Sequence, residues 1–140
     1  MTRDEIATLV GSAERAFNQH DVAAVTAPYA TDCLVESRIA GTVHGAAAVA
    51  QVWLALFAAF PDVAAVTEDL LIEDDRAVWL VRMSGTDTGG FMGLPPTNKP
   101  FTVPVVFMST LKNGQIVHER RIYDFTGLLI QIGVLKAKPV

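Results

Sequence analysis

From Val63 onward the chain changes its period. Four runs, Val63 to Ile72, Ala77 to Thr86, Phe101 to Leu111 and Gln115 to Tyr123, are rich in Val, Ile, Thr and aromatic residues and read as strands. Glu73-Asp74-Asp75 and Lys112-Asn113-Gly114 read as hairpin turns, Asn-Gly being the stronger signal because both residues tolerate positive φ. Neighbouring strands are therefore expected to be antiparallel. The chain before them is helical. Ile6, Leu9, Val10, Ala13 and Phe17 recur at helical spacing behind a Thr2/Glu5 capping box, and Asp21 is placed to cap a short second helix, Val22 to about Ala27, that stops near Pro28. These two helices are expected to pair antiparallel. Cys33 to Arg38 and Thr42 to His44 read as a first strand and its partner, and a short last helix follows Asp124, from Phe125 to about Ile132. The segment Ala46 to Phe60 is a helix apolar on more than one face, which must be covered on most sides. Helices first and strands afterwards specify an α+β domain with helices on one face of a curved sheet. Such a sheet encloses a cone, and its open end suits a ligand.

With 140 residues the chain is expected to form one domain, 1–140, and with 51% hydrophobic residues it has ample apolar surface to bury. A net charge of −4, with neither sign blocked into a run, argues against a nucleic-acid groove or a polybasic membrane contact. The stretch from Ala46 to Phe60 stops at Pro61, short of the roughly 18 residues a membrane span requires. Cys33 is the one cysteine and the start Met-Thr-Arg-Asp-Glu has no apolar leader, so the cytoplasm is the expected location.

Five motifs stand out from Phe60 onward: Phe60-Pro61-Asp62, Gly85-Thr86-Asp87-Thr88-Gly89, Phe91-Met92-Gly93-Leu94-Pro95-Pro96-Thr97-Asn98-Lys99, Gly114-Gln115-Ile116-Val117-His118-Glu119, and Asp124-Phe125-Thr126-Gly127-Leu128-Leu129-Ile130-Gln131-Ile132-Gly133. Together they resemble the SnoaL-like polyketide cyclase group of the NTF2-like superfamily, which also holds ketosteroid isomerase, scytalone dehydratase and limonene epoxide hydrolase. The resemblance implies a cone-shaped fold, a curved, mainly antiparallel sheet wrapped around N-terminal helices. It also implies a buried apolar pocket, cofactor-free chemistry on a small hydrophobic molecule, and a homodimer. In the cyclases the acid/base is an aspartate at the end of the last strand, the position of Asp124. Glu36 stands where many relatives carry a histidine, Asp87 where they often carry another, and Arg120 replaces a usual tryptophan. The implied pocket is retained and retuned.

For Asp124 two readings stand side by side. Between a strand and a helix an aspartate commonly caps the helix; in an apolar cone its carboxyl would be raised toward the working range of a general acid/base. On a regular strand His118, Arg120, Ile122 and Asp124 share one face and Val117, Glu119, Arg121 and Tyr123 the other, and a bulge would reverse part of this. If the first set faces the pocket, Arg120 needs a carboxylate there, with Glu36 or Asp124 available. Its other reading is a surface ion pair. His118 or Tyr29 could hold a substrate oxygen, or be an exposed histidine and a core-edge tyrosine. Trp53 and Phe57, one turn apart, serve as core or as pocket wall. Gly89 to Asn98 is expected at the pocket mouth, with Phe91, Met92 and Leu94 as lid residues or as a plug of the sheet edge.

No zinc spacing joins His20, His44 and His118, and neither a phosphate-binding loop nor a G-x-S-x-G elbow occurs. Arg82 is followed by Met83-Ser84, without the later aspartate of an epoxide hydrolase, which leaves epoxide opening a minor option. The readings carried forward are a cofactor-free cyclase, isomerase or dehydratase acting by proton transfer on a carbonyl-bearing substrate, and a non-catalytic binding or interaction module. Tyr123 and Val117 are expected on a convex sheet face that a second copy covers.

Overall fold

The computed structural model describes residues 1–137. Helix α1 (Arg3–Asn18) starts at the expected capping box: Thr2 Oγ1 accepts the Glu5 N–H at 3.1 Å and the Glu5 carboxylate accepts the Thr2 N–H at 2.8 Å. Asp21 caps α2 (Val22–Thr26) by accepting the Ala24 N–H. A hairpin of β1 (Tyr29–Ser37) and β2 (Gly41–His44) leads into α3 (Ala46–Ala59). The meander β3 (Ala64–Glu73), β4 (Arg76–Thr86), β5 (Pro100–Lys112) and β6 (Gln115–Tyr123) follows, and α4 (Phe125–Gln131) closes the chain.

These strands form one curved, unclosed sheet in the order β2-β1-β6-β5-β4-β3. Consecutive strands of the meander are antiparallel, as their turns require, and Asn113 and Gly114 both take positive φ. The β1–β6 pair is parallel instead. No hairpin joins these two strands, since α3 and the rest of the meander lie between them, so turn chemistry has no say in their direction. β1 also begins at Tyr29 rather than Cys33, because Tyr29 pairs with Ile116 before the register breaks and resumes at Leu34.

One face of the sheet is the core. Ala77, Trp79, Val81 and Met83 of β4 and Phe101, Val103, Val105 and Phe107 of β5 are buried, while their alternate neighbours face outward. Over the inner face Phe17 of α1 packs edge-on against Trp53 and Phe57 of α3, with ring centroids 5.5 and 5.2 Å apart. Helix α1 also covers the free edge of β3. Asn18 exchanges two hydrogen bonds with the backbone of Ala65, Glu14 accepts the Thr67 N–H at 2.6 Å, and Arg3 donates to the Ile72 carbonyl. These contacts cover part of the β3 edge and oppose further pairing there.

β6 carries the irregularity that decides the site. Across the turn Lys112 pairs with Gln115 and Leu111 with Ile116, but Thr110 then pairs with His118 and Ser109 with Glu119. Val117 is thus the extra residue of a bulge, and beyond it the alternation is reversed. Glu119, Arg121 and Tyr123 turn inward; His118, Arg120 and Ile122 turn outward. The expectation of Tyr123 on the convex face is corrected by this bulge.

Candidate active site

Between α3, the sheet and the loop after β4 lies a cavity of about 550 Å3, within the usual range for sites that hold a small organic ligand. Its walls are mostly apolar. Val52 and Leu56 supply the α3 side, Val103 and Val105 the sheet, and Phe60, Phe91 and Phe101 an aromatic end. Ile39, in the turn between β1 and β2, and Met92 are exposed and also line the cavity, which puts them at its opening. Among the described residues, its polar side chains are Ser37, Gln51, Arg121 and Tyr123; Trp53 also lines it, with its indole N–H enclosed.

Arg121 is the charged member, and it is buried. Its Nε donates to Glu119 Oε1 at 2.9 Å and Nη2 donates to the Tyr29 hydroxyl at 3.0 Å. Glu119, fully buried, also accepts from the Tyr29 hydroxyl at 2.8 Å and from Ser109 Oγ at 2.7 Å, and Trp79 Nε1 donates to that serine. The guanidinium lies over the Trp53 ring at 4.2 Å. Burial opposes its charge, but Tyr29 and Glu119 beside it outweigh that, so it stays protonated. Burial, reinforced by the Glu119 charge, holds the Tyr29 phenol well above its ordinary value. Two edges of the network differ. Glu119 accepts three hydrogen bonds, whereas Arg121 Nη1 has no acceptor among the described residues and is not fully enclosed.

Tyr123, two residues on and therefore about 7 Å along the same strand face, accepts the Ile39 N–H at 2.8 Å and shares a 3.1 Å hydrogen bond with Ser37 Oγ. When Ser37 is the donor, the phenol proton is free for the cavity.

The residues singled out from the sequence divide. Trp53, Phe91 and Met92 line the cavity. Tyr29 lies behind it, on a smaller cavity of about 40 Å3 shared with Trp53, and its hydroxyl is committed to Glu119. Phe57 is core, stacked on His20 at 4.3 Å. His118, Arg120 and Glu36 meet on the outer face instead of in the cavity: His118 Nε2 lies 2.7 Å and Arg120 Nε 3.0 Å from the same Glu36 oxygen. The hydrogen bonds from His118 and Arg120 hold the Glu36 carboxyl below its usual range. What this pairing adds to stability is therefore present above the ordinary glutamate range and lost as pH falls through the depressed value. Exposed pairs of this kind contribute little.

Asp124 is exposed and caps α4, accepting the Gly127 N–H at 2.9 Å. A Cβ at position 127 would stand 2.1 Å from the Asp124 carboxylate, so glycine there makes room for the cap. Asp124→Ala is expected to cost about 1 kcal/mol and Asp124→Asn only a few tenths, read from denaturant midpoints. Asp87 is likewise committed: fully buried, it accepts from the N–H groups of Gly90 and Thr97 and from the Thr97 hydroxyl, tying off the loop at its base.

Sequence reasoning passed over Arg121, Glu119, Ser37 and, as a site residue, Tyr123. The available signal was the i, i+2 pairing of opposite charges followed by a tyrosine, on the face that a bulge would turn inward.

The family model of SnoaL-like polyketide cyclase matches residues 7–132. The chain belongs to that family. Solved structures agree on the fold of this SnoaL-like chain. AclR of Streptomyces galilaeus, a proposed hydroxylase, is similar at 22% identity and TM-score 0.87, covering 99% of this chain and 91% of its own. TsrD of Streptomyces laurentii is similar at 20% and 0.86, covering 96% and 99%. IdmH of Streptomyces antibioticus, a proposed polyketide cyclase, is similar at 28% and 0.78, covering 91% and 97%. No protein of curated function matches the chain in sequence. Among the described residues no helix of this SnoaL-like chain is long and apolar enough to cross a membrane, and no group of three or more His, Cys, Asp or Glu side chains gathers as metal ligands.

Proposed function

We propose that the protein binds a small, hydrophobic, carbonyl-bearing molecule in the 550 Å3 cavity and promotes proton transfer next to its carbonyl, as a cyclase, isomerase or dehydratase. The observation that carries this reading is Arg121, a single charged side chain in a mostly apolar cavity wall. A carbonyl oxygen seated there gains negative charge as the adjacent C–H bond gives its proton to a water molecule, and a fixed cationic donor in an apolar site stabilises that charge more than water does. Tyr123 serves a second oxygen farther along the ligand. Asp124 is exposed, does not line the cavity and gives one carboxylate oxygen to its cap, so Asp124→Asn, which caps about as well, is expected to keep turnover. Loss of turnover in that variant would assign the proton to Asp124.

Screening apolar ketones, lactones and steroids for a rise in Tm tests the reading. A ligand at 100 times its Kd should add about 2.7 kcal/mol, and Val103→Trp, which projects an indole from the buried sheet wall into the cavity, should reduce the rise. A rise undiminished in a folded Val103→Trp would place the ligand elsewhere and sink the proposal. A non-catalytic binding module is the second reading, favoured by one observation: among the described residues no Asp, Glu or His lines the cavity.

The protein is further proposed to act as a homodimer through the outer sheet face. Leu80, Val106 and Ile122 are cross-strand neighbours there, and Leu71, Val78 and Met108 form the adjoining row; Ile122 and Leu71 are 52% and 63% exposed. A row of this kind, flanked by the Glu36, His118 and Arg120 charges, is what a two-fold copy covers. A monomeric mass by light scattering at micromolar concentration would refute this.

A further inference from the structure

We propose that the cavity recognises its ligand as an oxyanion: the substrate class is apolar molecules with an acidic oxygen, such as enolised 1,3-dicarbonyls, phenols and hydroxyquinones, bound as the mono-anion with the charged oxygen on Arg121. The inference rests on the cavity being the ligand site, and it deepens that reading by stating which protonation state binds.

Three observations carry it. First, Glu119 meets Arg121 through Nε alone and also accepts from Tyr29 and Ser109, so it makes no two-point pair and leaves the Nη1 edge uncovered. Second, Arg121 lines the cavity and its Nη1 retains donors without an acceptor among the described residues. A cationic donor and no anionic acceptor line the cavity. Third, the cavity wall holds no Asp, Glu or His among the described residues, so the wall offers no strong base to remove a proton from a weakly acidic carbon. A substrate that already gives its proton to water needs none. The O–H or C–H bond breaks, the proton leaves to solvent, and the electron pair stays on the oxygen held by Arg121.

Opposing effects make the sign decisive. An apolar cavity alone raises the pKa of a bound phenol, whereas an adjacent guanidinium lowers it. The test is a spectrophotometric titration of 2-naphthol with the full-length protein, with 2-methoxynaphthalene as a ligand that cannot ionise. The bound naphthol is expected to titrate about 1–3 units below the free one, which makes the naphtholate about 10- to 1000-fold tighter than the neutral form. An unchanged or raised value overturns the inference while leaving the cavity as the ligand site. Failure of both compounds to bind overturns the ligand-site reading itself. To assign the shift, Glu119→Gln combined with Arg121→Gln removes both charges together, and the depression should vanish. Arg121→Lys keeps the charge opposite Glu119 but withdraws the Nη edge, so it serves if the double variant does not fold, and it should lose most of the depression. A full depression in either folded variant would remove Arg121 from the role.

Discussion

Glu119→Ala is expected to destabilise the protein by about 3–5 kcal/mol, because it leaves a guanidinium buried without its carboxylate. Three donors converge on Glu119, from Arg121, Tyr29 and Ser109, and all three lose their acceptor at once. The loss should appear as a fall in Tm of roughly 10–20 °C. Removing the polar network as a unit should behave differently. Tyr29→Phe, Glu119→Met and Arg121→Met together leave no buried charge, and replacing a buried pair by apolar groups of similar volume is often neutral. Recovery of most of the lost stability, with loss of ligand binding, would show that the network is kept for the cavity and not for the fold. If the triple variant is as unstable as Glu119→Ala, the network is a structural requirement.

Phe91→Ala should be the second large effect, about 3 kcal/mol or more. The loop after β4 is fastened at its base by Asp87 and by the Gly89 N–H, which donates to the Ala59 carbonyl. Gly89 is needed there, since a Cβ would stand 1.8 Å from the Ala58 carbonyl oxygen. Phe91, packed against Phe60 at 5.0 Å and edge-on to Phe125, is buried, whereas Met92 is 57% exposed with positive φ. The segment is therefore a plug followed by a flap. Met92→Ala should leave stability within about 0.5 kcal/mol and weaken ligand binding, on the order of fivefold from the apolar contact withdrawn. Melting curves and ligand titrations on the two variants separate the roles. Equal losses of stability in both would make the whole segment core.

The motifs that carry the family resemblance are joints. Asp62 accepts both the N–H and the hydroxyl of Thr86, Thr97 closes on Asp87, and Gln131 brackets the backbone of Thr102 with two hydrogen bonds. Asp124 and Gly127 start α4, and Gly133, at φ +80°, follows its end. Such residues are legible because their work is local or fixes a turn, and the same property makes them poor guides to the reacting groups. The cavity polar groups lie elsewhere, on a strand where inside and outside depend on a register that no single segment contains.

The sequence by itself determined the helices, their caps, the hairpin turns and the four-strand meander, since each follows from periodicity, capping chemistry or positive-φ residues within a short window. The expectation that α3 is covered on most sides is corrected: Val49, Trp53 and Phe57 are buried, whereas Leu54 is 47% exposed. Only the tertiary structure decided which face of β6 looks inward. The pairing of Leu111 with Ile116 and of Thr110 with His118 places one extra residue between them, and a strand with period two exchanges its faces whenever a single residue is added. That one residue moved His118 and Arg120 to the outer surface beside Glu36, and set Glu119, Arg121 and Tyr123 against the core and the cavity.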